Sequence, residues 1–204
     1  MTGVLLPTRD EIAAERLYGS LRLFVEDAWP VLEPGTPFRL NWHIDAICEH
    51  LDAITAGELT RLIINIPPRH MKSLAVAVFW PCWEWLKRPE SRFLFASYAQ
   101  ILSTRDSLKC RRLIQQRGVD DPRVPASERT LIERIGYRGL VELIAAMKDE
   151  KPWELAGDQK TKQRFENTRT GYRIATSVEG TATGEGGDRV VCDDPTRWAR
   201  PSRR

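Results

Sequence analysis

The fold is decided at residues 61–81, which read RLIINIPPRHMKSLAVAVFWP. Residues 61–66 form a short apolar run that prolines stop, and this pattern predicts a buried strand. Apolar residues then return at helical spacing, which predicts a helix over residues 72–86. The loop between strand and helix ends in Lys72 and Ser73. A strand, a loop, a lysine followed by a serine, and a helix together form the context that a phosphate-binding loop requires.

In such a loop each residue type has a chemical task. Lys72 would reach the β- and γ-phosphates of a nucleotide, and the Ser73 hydroxyl would bind Mg²⁺. Backbone N–H groups of the loop and the N-terminus of the helix would hold the anion. The residues expected to bind a nucleotide here are Pro68, Arg69, His70, Met71, Lys72 and Ser73.

The loop departs from the standard glycine-rich pattern. Ile66 and Met71 stand where the pattern G-x-x-x-x-G-K-[ST] has glycine. Pro67 and Pro68 carry no N–H, so residues 69–73 must supply the donors. Met71 must also adopt whatever backbone angle the loop demands, which glycine would do without strain. The alternative is a strand that proline ends and that leads into an ordinary helix.

An acidic pair provides the second half of the candidate site. Residues 189–192 form an apolar run that predicts a strand, and Asp193 and Asp194 follow it directly. In open α/β folds ligands bind at the carboxyl ends of the strands. There Asp193 would hold Mg²⁺, and Asp194 would orient the attacking water or act as a base. Pro195 is expected to keep Asp194 extended. The alternative is a plain turn, but two such motifs in this order favour nucleotide binding.

Further elements follow from the same patterns. The remaining predicted helices cover residues 8–28, 42–55, 99–117 and 130–147. The remaining predicted strands cover residues 92–97, 164–167 and 172–176, and the last two are expected to form a hairpin. Strands that alternate with helices are typical of βαβ units, so we expect an α/β fold with a parallel sheet and flanking helices. We expect a helical segment at residues 1–57, a core at 58–195 and a basic, disordered tail at 196–204.

Composition narrows the class of protein. Of 204 residues, 42% are hydrophobic and 29% are charged, as in an ordinary globular chain, and the net charge of +3 is too small to imply a nucleic-acid partner by itself. No two of the four cysteines lie within four residues of each other, so no zinc-type pair exists. The sequence shows neither a signal pattern nor an apolar run of membrane-spanning length. Free thiols in a reducing cytoplasm are therefore expected.

Three ordered blocks, residues 61–81, 93–114 and 165–195, resemble the ATPase of bacteriophage terminase large subunits, in which a PPRH-x-KS loop replaces the glycine loop. The resemblance spans residues 36–195. It implies an additional-strand, RecA-like P-loop NTPase fold. It also implies Mg²⁺-dependent ATP hydrolysis that drives double-stranded viral DNA into a procapsid. The partners implied are a portal protein, a small terminase subunit and further copies in a ring, in the bacterial host cytoplasm.

The resemblance also implies roles for residues outside the lysine and the acidic pair. Arg69 matches an arginine that would stabilise charge on the transferring phosphoryl group; the alternative is a solvated loop cation. Asn41, Trp42 and His43 lie where the family has an adenine-recognition motif. Trp42 or His43 would stack on the base, and Asn41 would hydrogen-bond its edge. The alternative is a helix cap at Asn41 with Trp42 in the core.

Two departures from the family pattern shape the expectations. Residues 118–153 do not resemble the corresponding family segment. The sequence also stops just after the acidic pair, so the sheet is expected to be incomplete, the nuclease domain to be missing and endonuclease activity to be absent. The alternatives are a non-catalytic prophage remnant and a helicase-like P-loop ATPase. The tryptophans of the 72–86 helix are expected to lie in the core rather than to stack on nucleic acid, namely Trp80, Trp83 and Trp85.

Overall fold

The structure, a computed structural model, describes residues 6–119, 124–157, 161–178 and 185–194. The predicted basic tail, residues 196–204, lies outside them. The helices are α1 (Arg9–Gly19), α2 (Leu21–Leu32), α3 (Trp42–Ala56), α4 (Lys72–Leu74), α5 (Trp80–Lys87), α6 (Gln100–Ile114) and α7 (Leu131–Met147). A π-helical turn, Ala75–Phe79, joins α4 to α5. The strands are β1 (Phe93–Ser97), β2 (Arg164–Glu166), β3 (Tyr172–Ser177) and β4 (Arg189–Asp193).

The described strands form one mixed sheet in the order β2-β3-β1-β4. β1 pairs in parallel with β3 and with β4, whereas β2 runs antiparallel to β3. The α/β class and the predicted hairpin are thus confirmed. The sheet is mixed rather than wholly parallel, because the short connection of the predicted hairpin can join only antiparallel neighbours. Helix α6 packs against β1 and β3.

Residues 61–66 do not form the predicted strand. The segment has no ladder partner among the described residues. Its burial nevertheless alternates with the period of an extended chain: Leu62 and Ile64 are half-buried, and Ile63 is 85% exposed. A cavity of about 540 Å³ separates this segment from β4, the edge strand of the described sheet. The prediction of a buried strand is therefore wrong in both the pairing and the burial of this segment.

The helical predictions hold with three changes, of which the first is the π-helical turn that interrupts the predicted 72–86 helix. Residues 8–28 form two helices rather than one, because Ser20 adopts extended angles (φ −144°) and its hydroxyl caps α2 by accepting from the N–H of Leu23 at 3.4 Å. Helix α7 is kinked at Gly136, where φ is 75°. Helix α3 ends one residue beyond its predicted bound, before a left-handed Gly57 with φ of 84°.

The helix behind the loop lies in the middle of the core. Trp80, Trp83 and Trp85 are 3%, 0% and 0% exposed, which confirms their predicted core position. Phe93 and Phe95 on β1 belong to the same hydrophobic cluster, as do the buried residues of α1, α2 and α3. The N-terminal helices therefore pack directly onto the elements that carry the candidate site.

Candidate functional site

The loop before α4 is held in an unusual backbone conformation. Arg69 and Met71 both have positive φ, 69° and 64°, a region that non-glycine residues rarely occupy. Met71 is the position where the standard pattern has glycine. The Nδ1 of His70 donates to the carbonyl oxygens of Pro67 and Pro68 at 3.1 and 2.9 Å, which ties the loop together. Strained non-glycine residues cost about 1–3 kcal/mol each, and such strain clusters at functional sites.

The structure brings the two sequence motifs together. The Nζ of Lys72 lies 2.8 Å from Oδ1 of Asp194 and 3.1 Å from Oδ1 of Asp193. The hydroxyl of Ser73 donates to Oδ2 of Asp193 at 2.6 Å. Lysine, serine and both carboxylates thus form one connected cluster, although about 120 residues of chain separate the two motifs.

The sheet explains why these residues meet. β4 lies parallel to β1 with Asp193 opposite Ser97, so the acidic pair reaches the carboxyl edge of the sheet. There the N–H of Tyr98 donates to the carbonyl oxygen of Asp194 at 3.2 Å. Asp194 has φ of 47°, so the expectation that Pro195 keeps it extended is wrong. The chain turns sharply at Asp194, and this turn lets both carboxylates approach Lys72.

The electrostatics of the cluster favour a charged lysine. Burial alone would lower the pKa of Lys72, but its hydrogen bonds and attraction to Asp194 and Asp193 outweigh that effect and raise the pKa. One ammonium therefore faces two carboxylates, of which that of Asp194 is the more exposed. An incoming phosphate would compete with these carboxylates for the same ammonium.

The oxygen atoms present fit a magnesium ion that arrives with a nucleotide. Mg²⁺ usually takes one or two carboxylates together with phosphate oxygens and water. The Ser73 hydroxyl and the Asp193 carboxylate offer such oxygens side by side. Within the described ranges no group of three or more His, Cys, Asp or Glu side chains is arranged to hold a metal. These donors suit a shared metal rather than one held by protein alone.

Two arginines lie near the cluster. Arg69 is exposed on the loop next to Lys72, consistent with either role considered for it. Arg105 on α6 was not predicted. Its hydrogen bond to Asp106 raises its pKa, and Asp193 adds a smaller attraction, which places Arg105 within electrostatic reach of the site. Its position on α6, the helix that follows the carboxyl end of β1, was the available signal.

The residues of the expected adenine motif line a pocket beside the loop. The pocket has a volume of about 540 Å³ and includes Asn41, Trp42, His43 and His70. The Oδ1 of Asn41 accepts the N–H of Trp42 at 2.8 Å, so Asn41 does cap α3. Trp42 is 78% exposed and therefore does not lie in the core. The rings of His43 and His70 meet edge to face, 5.5 Å apart, and connect this pocket to the loop.

Other expectations concern the whole chain. All four cysteines are free thiols, as predicted. No helix in the described parts of the chain is long and apolar enough to cross a membrane.

No family model, curated protein or solved structure matches the chain.

Proposed function

We propose that this protein is the ATP-hydrolysing part of a DNA-packaging motor of the bacteriophage terminase type. The observation that carries the proposal is the cluster of Lys72, Ser73, Asp193 and Asp194. A lysine and a serine at the start of a helix meet an acidic pair at the end of a parallel strand, as a phosphate loop and its acidic strand do in P-loop NTPases. The assignment to a packaging motor rests on the sequence resemblance alone.

Each side chain has a separate task in this proposal. Lys72 exchanges its carboxylate partners for the β- and γ-phosphate oxygens of ATP. Ser73 and Asp193 hold Mg²⁺, which neutralises phosphate charge when bound. Asp194, the more exposed of the two carboxylates, orients the attacking water or accepts its proton. Arg69 stabilises negative charge on the transferring phosphoryl group.

The cavity between residues 61–66 and β4 supports the additional-strand form of the fold. The segment alternates in burial as an extended chain would and has no ladder partner among the described residues, and β4 is the edge strand of the described sheet. Both line the same cavity of about 540 Å³. A further strand in this cavity would pair with both neighbours and extend the sheet to the phosphate loop.

The experiment is phosphate release from ATP by the purified chain, measured alone, with double-stranded DNA and with single-stranded DNA. A packaging motor is expected to respond to double-stranded DNA and to leave a forked duplex unopened. Stimulation by single strands together with strand separation would instead support a helicase-like ATPase. Nucleotide binding without any hydrolysis would support a non-catalytic remnant. Glu150→Ala, a change at an exposed position after α7, serves as the control variant.

A further inference from the structure

The helix behind the phosphate loop is interrupted by a wide turn, and the sequence explains why. In a regular α-helix the carbonyl of Ala77 would accept the N–H of residue 81. Residue 81 is proline, which has no N–H and whose ring clashes with the carbonyl four residues earlier. The chain responds with a π-helical turn over Ala75–Phe79, in which the N–H of Trp80 donates to the carbonyl of Ala75.

Arg173 supplies the donor that Pro81 lacks. Its Nη2 donates to the carbonyl oxygen of Ala77 at 3.0 Å, across 96 residues of chain. Ala77 is 3% exposed, so water does not readily replace this donor. A buried carbonyl left without a partner would destabilise the fold.

Stability of the fold does not by itself account for an arginine at this position. The side chain of Arg173 is fully buried on the interior strand β3, and its Nε and Nη1 have no hydrogen-bond partner in the described structure. Its guanidinium lies 4.2 Å from the centre of the Phe95 ring, which offsets only part of the desolvation. Buried charges without full pairing usually cost stability, so such a residue suggests a role beyond packing.

The π-turn determines in which direction helix α4, which carries Lys72 and Ser73, faces. A π-turn contains one residue more than an α-turn, so it rotates everything before it by about 100° relative to α5. Lys72 and Ser73 lie directly before the π-turn, and the buried tryptophans lie directly after it. Without the extra residue the tryptophans and the Lys72–Ser73 pair would not both face their present partners.

We propose that Arg173 is a positioning residue for the phosphate loop: it holds the π-turn open at Ala77 and so aims Lys72 and Ser73 at Asp193. The nucleotide-binding consequence rests on the function proposed above. The contact itself does not, and it can be tested without nucleotide. Arg173→Met keeps a long side chain but removes the donor, and Pro81→Ala returns the missing N–H to the helix.

The test compares wild type, Arg173→Met, Pro81→Ala and the double variant by urea unfolding and by Mg²⁺-dependent binding of a fluorescent ATP analogue. Arg173→Met should bind roughly tenfold or more weakly, because a small misplacement of binding groups is costly. Its stability reflects two opposing effects, removal of a buried charge and loss of the partner of the Ala77 carbonyl. Pro81→Ala should therefore stabilise Arg173→Met more than it stabilises wild type, since the N–H restored at position 81 then serves an unpaired carbonyl. The double variant should not regain affinity, since a regular helix misaims Lys72. Recovery of affinity in the double variant would overturn the positioning role.

Two further outcomes bear on the role of Arg173. If Arg173→Met costs the same stability with and without Pro81, or if the double variant also fails to fold, the Ala77 carbonyl is not what Arg173 serves. If the wild type binds no nucleotide, the proposed function fails, and a crystal structure of the double variant then decides the positioning role. Lys72 and Ser73 should have lost their contacts with Asp193. Unchanged contacts of both side chains with Asp193 would overturn the inference.

Discussion

The hydroxyl of Ser73 donates to Oδ2 of Asp193 at 2.6 Å, although 120 residues separate the two in sequence. This contact joins the start of the helix behind the loop to the end of an edge strand. Lys72 contacts the same carboxylate and its neighbour Asp194. The two carboxylates differ in exposure and in partners, so they are expected to differ in function.

Asp193→Ala and Asp194→Ala should separate nucleotide binding from turnover. Loss of Asp193 removes a metal-directed carboxylate and should weaken the Mg²⁺-dependent part of binding. Loss of Asp194 should leave binding nearly unchanged and slow hydrolysis by about 100-fold or more, the usual effect of losing a general base. Binding titrations and phosphate release measure the two effects. If only Asp193 affects turnover, Asp194 is a structural turn residue; if neither variant changes anything, the acidic strand is not part of the site.

Trp42→Ala should reduce affinity for ATP but not for inorganic triphosphate. The side chain is 78% exposed and lines the pocket beside the loop, so it is available to stack on a base. Such stacking contributes about 1–3 kcal/mol, or roughly 5- to 150-fold in affinity. Competition titrations with both ligands provide the measurement. Equal losses for ATP and triphosphate would exclude a base-specific role for Trp42.

The parts of the site that sequence predicts are those set by local pattern. Lys72 begins a helix and Asp193 ends a strand because of the residues around them, and both positions are confirmed. Pairing of residues 61–66 depends on a neighbour distant in sequence, which no local pattern specifies. The role of Arg173 was missed for the same reason, although Pro81 in a predicted helix was a visible sign of disruption.

Hydrogen exchange tests the unpaired state of residues 61–66. Amides in this segment lack ladder partners among the described residues, whereas those of β1 lie between β3 and β4. The amides of Leu62 and Ile64 should therefore exchange faster than those of Leu94 and Phe95, by a factor on the order of 100 or more. Protection equal to that of β1 would show that the segment is a paired strand after all.

Stability should depend on pH through Asp52. Burial raises the pKa of this carboxyl from 3.8 to about 6, against a backbone hydrogen bond from Leu21 and the attraction of Lys87. A raised folded-state pKa means that the native state holds the proton more tightly. The resulting stability is present below pH 3.8 and is lost as pH rises through about 6.

Asp52→Asn should remove this loss, because the amide stays neutral. Urea unfolding should find the variant more stable than wild type at about pH 7.5, with the difference shrinking towards about pH 4. Glu15→Gln, at an exposed position on α1, is the matched control. A difference that grows as pH falls would have the opposite sign and would contradict the assignment.

The most direct test of the central claim is equilibrium binding of a fluorescent ATP analogue to the wild-type chain and to Lys72→Ala, each with Mg²⁺ and with a chelator. Lys162→Ala, at an exposed position, is the control. We predict saturable binding that Mg²⁺ strengthens and unlabelled ATP displaces. Loss of a charge-assisted contact worth about 1.5–3 kcal/mol should weaken it by roughly 10- to 100-fold in Lys72→Ala, with folding unchanged. Equal affinity in wild type and Lys72→Ala, or no saturable binding in either, would contradict the account.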